Sequence, residues 1–252
     1  MSWRFDRLGF VQGKYYLIAA IVGLAAFVGG FLLANSINRS ETERLRSELE
    51  AAKASPGPGS SSDSSLSEDE IQAKVAEAER DPQNFQFQKS LGIGLYRYGA
   101  IKQDAAVIER AIPILERANR LDPKDADVLT ALGNAHFDIG YFNKDNDALA
   151  RARTSYETAL KTRPDDVGLI TDLGLTYYLQ QPPDLERAAA EFERSLGKDA
   201  KHERALQFYV QTLVKQNKFE EASKQLSKLR EVNPQNGSIA ELSELINNAP
   251  AK

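Results

Sequence analysis

The chain has 252 residues, a formal net charge of −4, 42% hydrophobic and 27% charged residues, and no cysteine. That charge argues against a nucleic-acid binder, which neutralises phosphates with clustered Lys and Arg. The missing cysteine excludes disulfides, thiolate zinc sites and a cysteine nucleophile.

After a tail of residues 1–14, no charged residue occurs from Tyr15 to Asn38, and the run LIAAIVGLAAFVGGFLLA is almost wholly apolar. About 20 such residues cross a hydrocarbon core of roughly 30 Å as a helix. Lipid offers no partner for unpaired backbone groups, so a spanning segment of this kind has to be helical. Residues 15–37, Tyr15 to Ile37, are therefore expected to be a single transmembrane helix, with Lys14, Tyr15 and Tyr16 at its interface. The rival reading is a cleavable signal peptide ending at Ala34-Asn35-Ser36, whose apolar core would normally be only about 7–15 residues. Arg4, Arg7 and Lys14 precede the run and Arg39, Arg44, Arg46 and Lys53 follow it, so the basic residues give no decisive orientation. A short head and a long carboxy-terminal part favour an exported, periplasmic or extracytoplasmic, domain. Ala19, Gly23, Ala26 and Gly30 make a small-residue stripe through which two copies could approach as a homodimer; the plainer reading is that they face lipid.

Residues 38–53 hold good helix formers and the i,i+4 pairs Arg44/Glu48 and Arg46/Glu50, which predicts a short helical stalk. Residues 54–67, ASPGPGSSSDSSLS, can bury no core and read as a flexible linker reaching about 20 Å root-mean-square. Ser67-Glu68-Asp69-Glu70 is a capping box that opens a helix with Ile71, Val75 and Ala78 on one face.

Beyond it the chain repeats itself. Leu91-Gly92, Leu132-Gly133 and Leu173-Gly174 recur at intervals of 41 residues, and a degenerate Tyr209-Val210 follows. Downstream of each pair comes a second pattern: Ala111, Leu115, Ala118, Pro123; Ala152, Tyr156, Ala159, Pro164; Ala188, Phe192, Ser195, Ala200; and Ala222, Leu226, Leu229, Pro234. Core positions such as Ile170, Leu173, Gly174 and Tyr177, or Leu129, Leu132, Gly133 and His136, share one face of a helix. A glycine inside a helix costs about 1 kcal/mol relative to Ala, so its recurrence implies a closely packed partner helix. The prolines end the second helices. Two residues depart from the pattern: Gln88 stands where a large apolar side chain belongs, with Phe85 or Phe87 available to cover that face, and Pro113 lies inside a second helix. Ser238-Ile239-Ala240-Glu241 opens a last helix.

These residues resemble the tetratricopeptide repeat, a helix–turn–helix unit of ~34 residues. The resemblance covers about residues 83–234. It implies an all-α fold, a right-handed α-α superhelix of about four repeats (about 83–123, 124–164, 165–200 and 201–234). Together with capping helices, the last at 237–248, they make a domain over residues 68–248, with about ten helices and no strands. The seven extra residues in each of the first two units, and two in the third, are expected at the turns around Gly99–Asp104, Tyr141–Asp147 and Gln180–Asp184. By the family's pattern the first helices line a concave groove. Its candidate partner-binding positions are Ile93, Asn134, Leu175 and Gln211; Tyr96, Phe137 and Tyr178, with Val214; Arg97, Asp138, Leu179 and Lys215; and Lys89. The aromatics either form an apolar peptide platform or pack between neighbouring repeats. Some family members clamp a terminal carboxylate, but only Lys89 and Asn134 match that set; Ile93, Thr171 and Leu175 stand at the other places, so this mode is not expected.

No phosphate loop, zinc-protease motif or nucleophile elbow occurs. His136 falls on a core position and is expected to be packed and hydrogen-bonded, and His202 to be solvated. The chain thus reads as a membrane-tethered repeat scaffold that binds a protein or peptide, with no enzymatic activity, metal or cofactor. Its layout also resembles the repeat subunit of bacterial cytochrome c maturation, which implies an apocytochrome chaperone as one alternative. A structural or assembly subunit of a membrane complex is another.

Overall fold

A computed structural model describes residues 67–248, all within one compact unit, Ser64–Lys252. The expected transmembrane helix, its homodimer stripe, the stalk and nearly all of the linker lie outside the described residues. Among those described, no helix is long and apolar enough to cross a membrane.

Ten α-helices and no strand make up this region: α1 Glu68–Arg80, α2 Phe85–Lys102, α3 Ala105–Leu121, α4 Ala126–Asn143, α5 Asn146–Leu160, α6 Val167–Leu179, α7 Leu185–Lys198, α8 Glu203–Lys215, α9 Phe219–Val232 and α10 Ile239–Asn247. The first seven start where a short polar residue replaces the apolar pattern. Ser67, Asn84, Asp104, Asp125, Asp145, Asp166 and Asp184 accept backbone N–H bonds at the starts of α1 to α7, satisfying donors that a helix leaves unpaired. Ser67 and Glu70 complete the expected capping box. His202, Lys218 and Ser238 precede α8, α9 and α10 without any side-chain cap.

Helices pair as α2/α3, α4/α5, α6/α7 and α8/α9, each pair packs on the next, and only the first helices make sustained contact with their counterparts one pair on. First helices therefore line the inner side of the stack. The pairs close through small residues. A methyl group on Gly133 would come within 2.5 Å of the Tyr156 ring, and one on Gly140 within 2.8 Å of Leu149 Cδ2 and 3.0 Å of its backbone nitrogen. Ala118, Ala159 and Ser195 are fully buried on the facing helices.

The extra residues of the first two repeats are not in the turns. They lengthen the helices: α2 and α4 have 18 residues each, against 13 in α6 and α8. Only Gln103-Asp104 and Lys144-Asp145 remain as connections, with Gln103 and Lys144 in the left-handed conformation. A lengthened helix has to stay close to its partner for another turn, which is the work of the second glycines, Gly99 and Gly140. In the third repeat Pro182 and Pro183 forbid the same extension. There the connection is held by Asn146, which exchanges two hydrogen bonds with the Gln181 backbone at 2.7 and 2.9 Å.

Gln88 is fully buried. Its Nε2 donates to the carbonyls of Ala78 (2.7 Å) and Asp81 (2.9 Å), and its Oε1 accepts from Arg117 Nε (3.0 Å). It thereby ties α1 to the first repeat, while Phe87 packs on the surrounding core. Pro113 sits in mid-helix on the exposed side of α3, where water can satisfy the carbonyl that proline leaves without a donor. His136 is buried, as its core position implies, but its Nδ1 has no hydrogen-bond partner within the described residues. His202 is half-buried, not solvated.

Candidate functional site

The inner face is built by α2, α4, α6 and α8, and the repeat register brings equivalent positions into rows. In the row Tyr96, Phe137, Tyr178 and Val214, Tyr96 and Val214 are half-buried, whereas Phe137 and Tyr178 are only 8% and 9% exposed. Tyr178 packs edge-on against Phe208 at 5.9 Å, and Phe208 stacks on Phe192. The aromatic row is therefore the floor between repeats, and only its first member rises toward solvent.

In the neighbouring row Ile93 is half-buried against the core of the first repeats. Leu175 is wholly buried, so it belongs to the core and offers nothing to a partner. The other two members are half-buried amides. Asn134 Oδ1 accepts from the Tyr156 hydroxyl at 2.8 Å, and Gln211 Oε1 accepts from the Tyr178 hydroxyl at 3.1 Å. A tyrosine hydroxyl donating to each carbonyl fixes which way the amide is turned, with its NH₂ group on the other side.

Arg97 and Lys215 are exposed and Asp138 and Leu179 half-buried in the third row. The Lys215 ammonium lies 4.6 Å from the centre of the Tyr178 ring, and although the residue as a whole is exposed, partial loss of hydration beside the protein lowers its pKa. Lys89 is committed elsewhere: its ammonium bridges Asp125 at 2.7 Å and Asp127 at 2.9 Å. Asp127 also pairs with Arg163 at 2.5 Å, so Lys89 fastens one repeat to the next and is not free to receive a carboxylate. The Arg163 and Lys89 hydrogen bonds hold the Asp127 carboxyl below its ordinary pKa.

The sequence reading overlooked a polar centre. Asp172 and Arg204 form an ion pair at 2.6 Å, both largely sheltered. Their charges act on the buried Tyr156 hydroxyl, whose pKa burial pushes far up. Arg204 falls on an inward-facing position, the second of its repeat, and that register is the signal that could have found it. Among the described residues no cluster of His, Asp and Glu could hold a metal ion.

Tetratricopeptide-repeat family models match residues 145–203 and 183–246. Solved structures share the fold. The crystal structure of MamA is 21% identical, with 67% of this chain and 90% of that one covered and a TM-score of 0.54. YrrB, described as a TPR protein with an unusual peptide-binding site, is 17% identical over 70% of this chain and 82% of its own, TM-score 0.51. TTC0263, a thermophilic TPR protein in Thermus thermophilus, is 15% identical over 71% and 89%, TM-score 0.51. No curated protein matches the chain. The matched models show tetratricopeptide repeats over residues 145–246, and the stacked helix pairs carry the same fold back to Phe85.

Proposed function

We propose that the chain is a membrane-tethered scaffold whose inner face binds an extended segment of a partner protein. The observation that carries this reading is the pair of tyrosine-oriented amides, Asn134 and Gln211. An extended peptide presents backbone carbonyls at regular intervals, and amide NH₂ groups held in one orientation are matched donors for them. Arg97 and Lys215, near opposite ends of the face, add preference for a segment with acidic residues. The uncharged run from Tyr15 to Ile37 supports the tether, and an exported repeat domain is part of the same reading.

The test replaces donors and keeps acceptors. Asn134→Asp with Gln211→Glu retains the oxygens that receive the tyrosine hydroxyls and removes both NH₂ groups. Segments selected from a peptide library by the detergent-solubilised full chain should bind the double variant at least about tenfold more weakly, the equivalent of one lost hydrogen bond, with the helical circular dichroism unchanged. Undiminished binding would refute the groove reading. Anchoring is checked separately by resistance to alkaline extraction, and sidedness by protease accessibility in intact cells.

A further inference from the structure

Two of the three large hydrophobic side chains most exposed among the described residues are Ile101, at 50%, and Phe142, at 43%. They are not scattered. Both lie at the carboxy-terminal tips of the two lengthened first helices, 41 residues apart, at the same place in their repeats. Phe142 is backed edge-on by Tyr141 at 5.8 Å. The equivalent tip of the third repeat is the exposed Pro182-Pro183, bound to the second by Asn146. All three turns join a first helix to its second, so they share one edge of the stack. The opposite edge, at Asp122–Asp125, Arg163–Asp166 and Asp199–His202, is made of charged and polar residues, proline and a single alanine.

The chain also enters the repeat domain at the apolar edge. Glu68, the first residue of α1, pairs with Arg110 at 2.6 Å, and Arg110 lies in the second turn of α3, just after the Gln103-Asp104 turn. Ser67 therefore lies on the same edge as Ile101, and the linker expected before it, of about 20 Å reach, is joined to the domain there.

We propose that this edge, through Ile101 and Phe142, rests against the bilayer in which residues 15–37 are embedded. The inference rests on the anchoring reading above. Apolar tips flanked by Lys102 and Lys144 have the composition of an interfacial contact, apolar groups entering the headgroup boundary and ammonium groups reaching phosphates. Two such tips would bind a membrane weakly from solution; the tether raises their local concentration, as linkage does for any second contact. The edge contact holds the repeat stack upright on the membrane, with its inner face reachable from the side.

The absence of native cysteine makes the test specific. Single variants Ile101→Cys, Phe142→Cys and, on the opposite edge, Lys124→Cys are spin-labelled in the full chain. Each is reconstituted into vesicles of phosphatidylcholine and phosphatidylglycerol. Collision with oxygen relative to a water-soluble nickel chelate should rise several-fold at 101 and 142, and stay at its aqueous value at 124. An added Ile101→Asp should reduce the rise at 142. Aqueous values at all three sites, in chain that floats with the vesicles, would overturn the edge contact and leave the anchor standing. Chain that does not float overturns both. Shielding accompanied by spin–spin broadening, the broadening being lost on dilution with unlabelled chain while the shielding stays, assigns the edge to a second copy and overturns the proposal.

Discussion

At Gln88 the repeat pattern asks for a large apolar side chain, and an amide with three hydrogen bonds stands there. Gln88→Leu would restore the pattern and still harm the protein. It strips partners from Arg117 and from two carbonyls, and an orphaned buried group costs about 1–3 kcal/mol. Urea unfolding should show a clear fall in stability; a gain would mean that the amide is dispensable. The sequence could not reveal this role, because the partners lie 7, 10 and 29 residues away and no local spacing encodes them. Glycines make a matched pair. Gly133→Ala drives a methyl into the Tyr156 ring and should cost about 1–3 kcal/mol, whereas nothing lies within 4 Å of a methyl on Gly94, so Gly94→Ala should stabilise by up to about 1 kcal/mol. Equal effects in denaturation would remove close approach as the reason for the repeat glycines. His136 supplies a pH dependence. Burial, then the Arg151 charge, lowers its pKa from 6.5 to about 4. Between those values the unfolded chain takes up a proton that the folded chain refuses, so stability is full above pH 6.5 and falls as pH drops toward 4. The loss is on the order of 1–3 kcal/mol. His136→Phe should flatten the stability profile in that window; an unchanged slope would place the proton uptake elsewhere.

The start of α1 was legible in the sequence, where Ser67 and Glu70 spell a capping box; the other starts share that logic without having been singled out. Asp104, Asp125, Asp145, Asp166 and Asp184 each precede an apolar face and each caps a helix in the structure. Helix length was not legible. The additional residues of the first two repeats carry Gly99, expected in a turn, and Gly140, directly before one, yet each faces the partner helix across an extended pair. Turn and close-packing glycines share one signature in a linear sequence; only the position of the opposing Ile108 or Leu149 separates them. The groove divided in the same way. Register groups residues of α2, α4, α6 and α8 into rows but says nothing of depth, so buried Leu175 shared a row with Asn134, and ion-paired Lys89 was counted beside Arg97. Depth depends on the next repeat, through contacts such as Tyr178 on Phe208. Capping yields a sharp contrast at this scale. Asp166→Ala removes the bond to the Leu169 N–H and should cost about 1 kcal/mol. Ser238→Ala removes a hydroxyl that caps nothing and should leave unfolding within about 0.5 kcal/mol of the parent. A comparable loss at Ser238 would show that its hydroxyl satisfies the start of α10 after all.

A stack of repeats in which each pair touches only its neighbours distributes stability along its length, so the ends and the middle need not open together. The amino-terminal end is fastened from three sides: the capping box at Ser67, the Glu68–Arg110 pair and the Gln88 amide. At the carboxy-terminal end α8, α9 and α10 all lack side-chain caps, α10 has only nine residues, and Leu245 is 47% exposed. What holds that end is thinner: Asn233 and Asn236 donating to Glu203 at 2.7 Å each, and Arg230 to Ser243 at 2.5 Å. Stability should therefore decline from the central pairs α4/α5 and α6/α7, with their buried Tyr156 and Phe192, toward α10. Amide hydrogen exchange of the full chain should show α10 and α9 opening at lower free energy than α5 and α7, with α1 better protected than α10 although both are terminal helices. The asymmetry matters for binding, because Gln211 and Lys215 sit on α8, in the softer half, and Asn134 and Arg97 in the firmer one. A ligand that engages both amides has to hold α8 against its natural tendency to open, so its binding should slow exchange in α8 to α10 more than in α2 to α5. Uniform protection along the stack, with or without ligand, would mean that the domain opens as a single unit and that the capping contrast has no bearing on recognition.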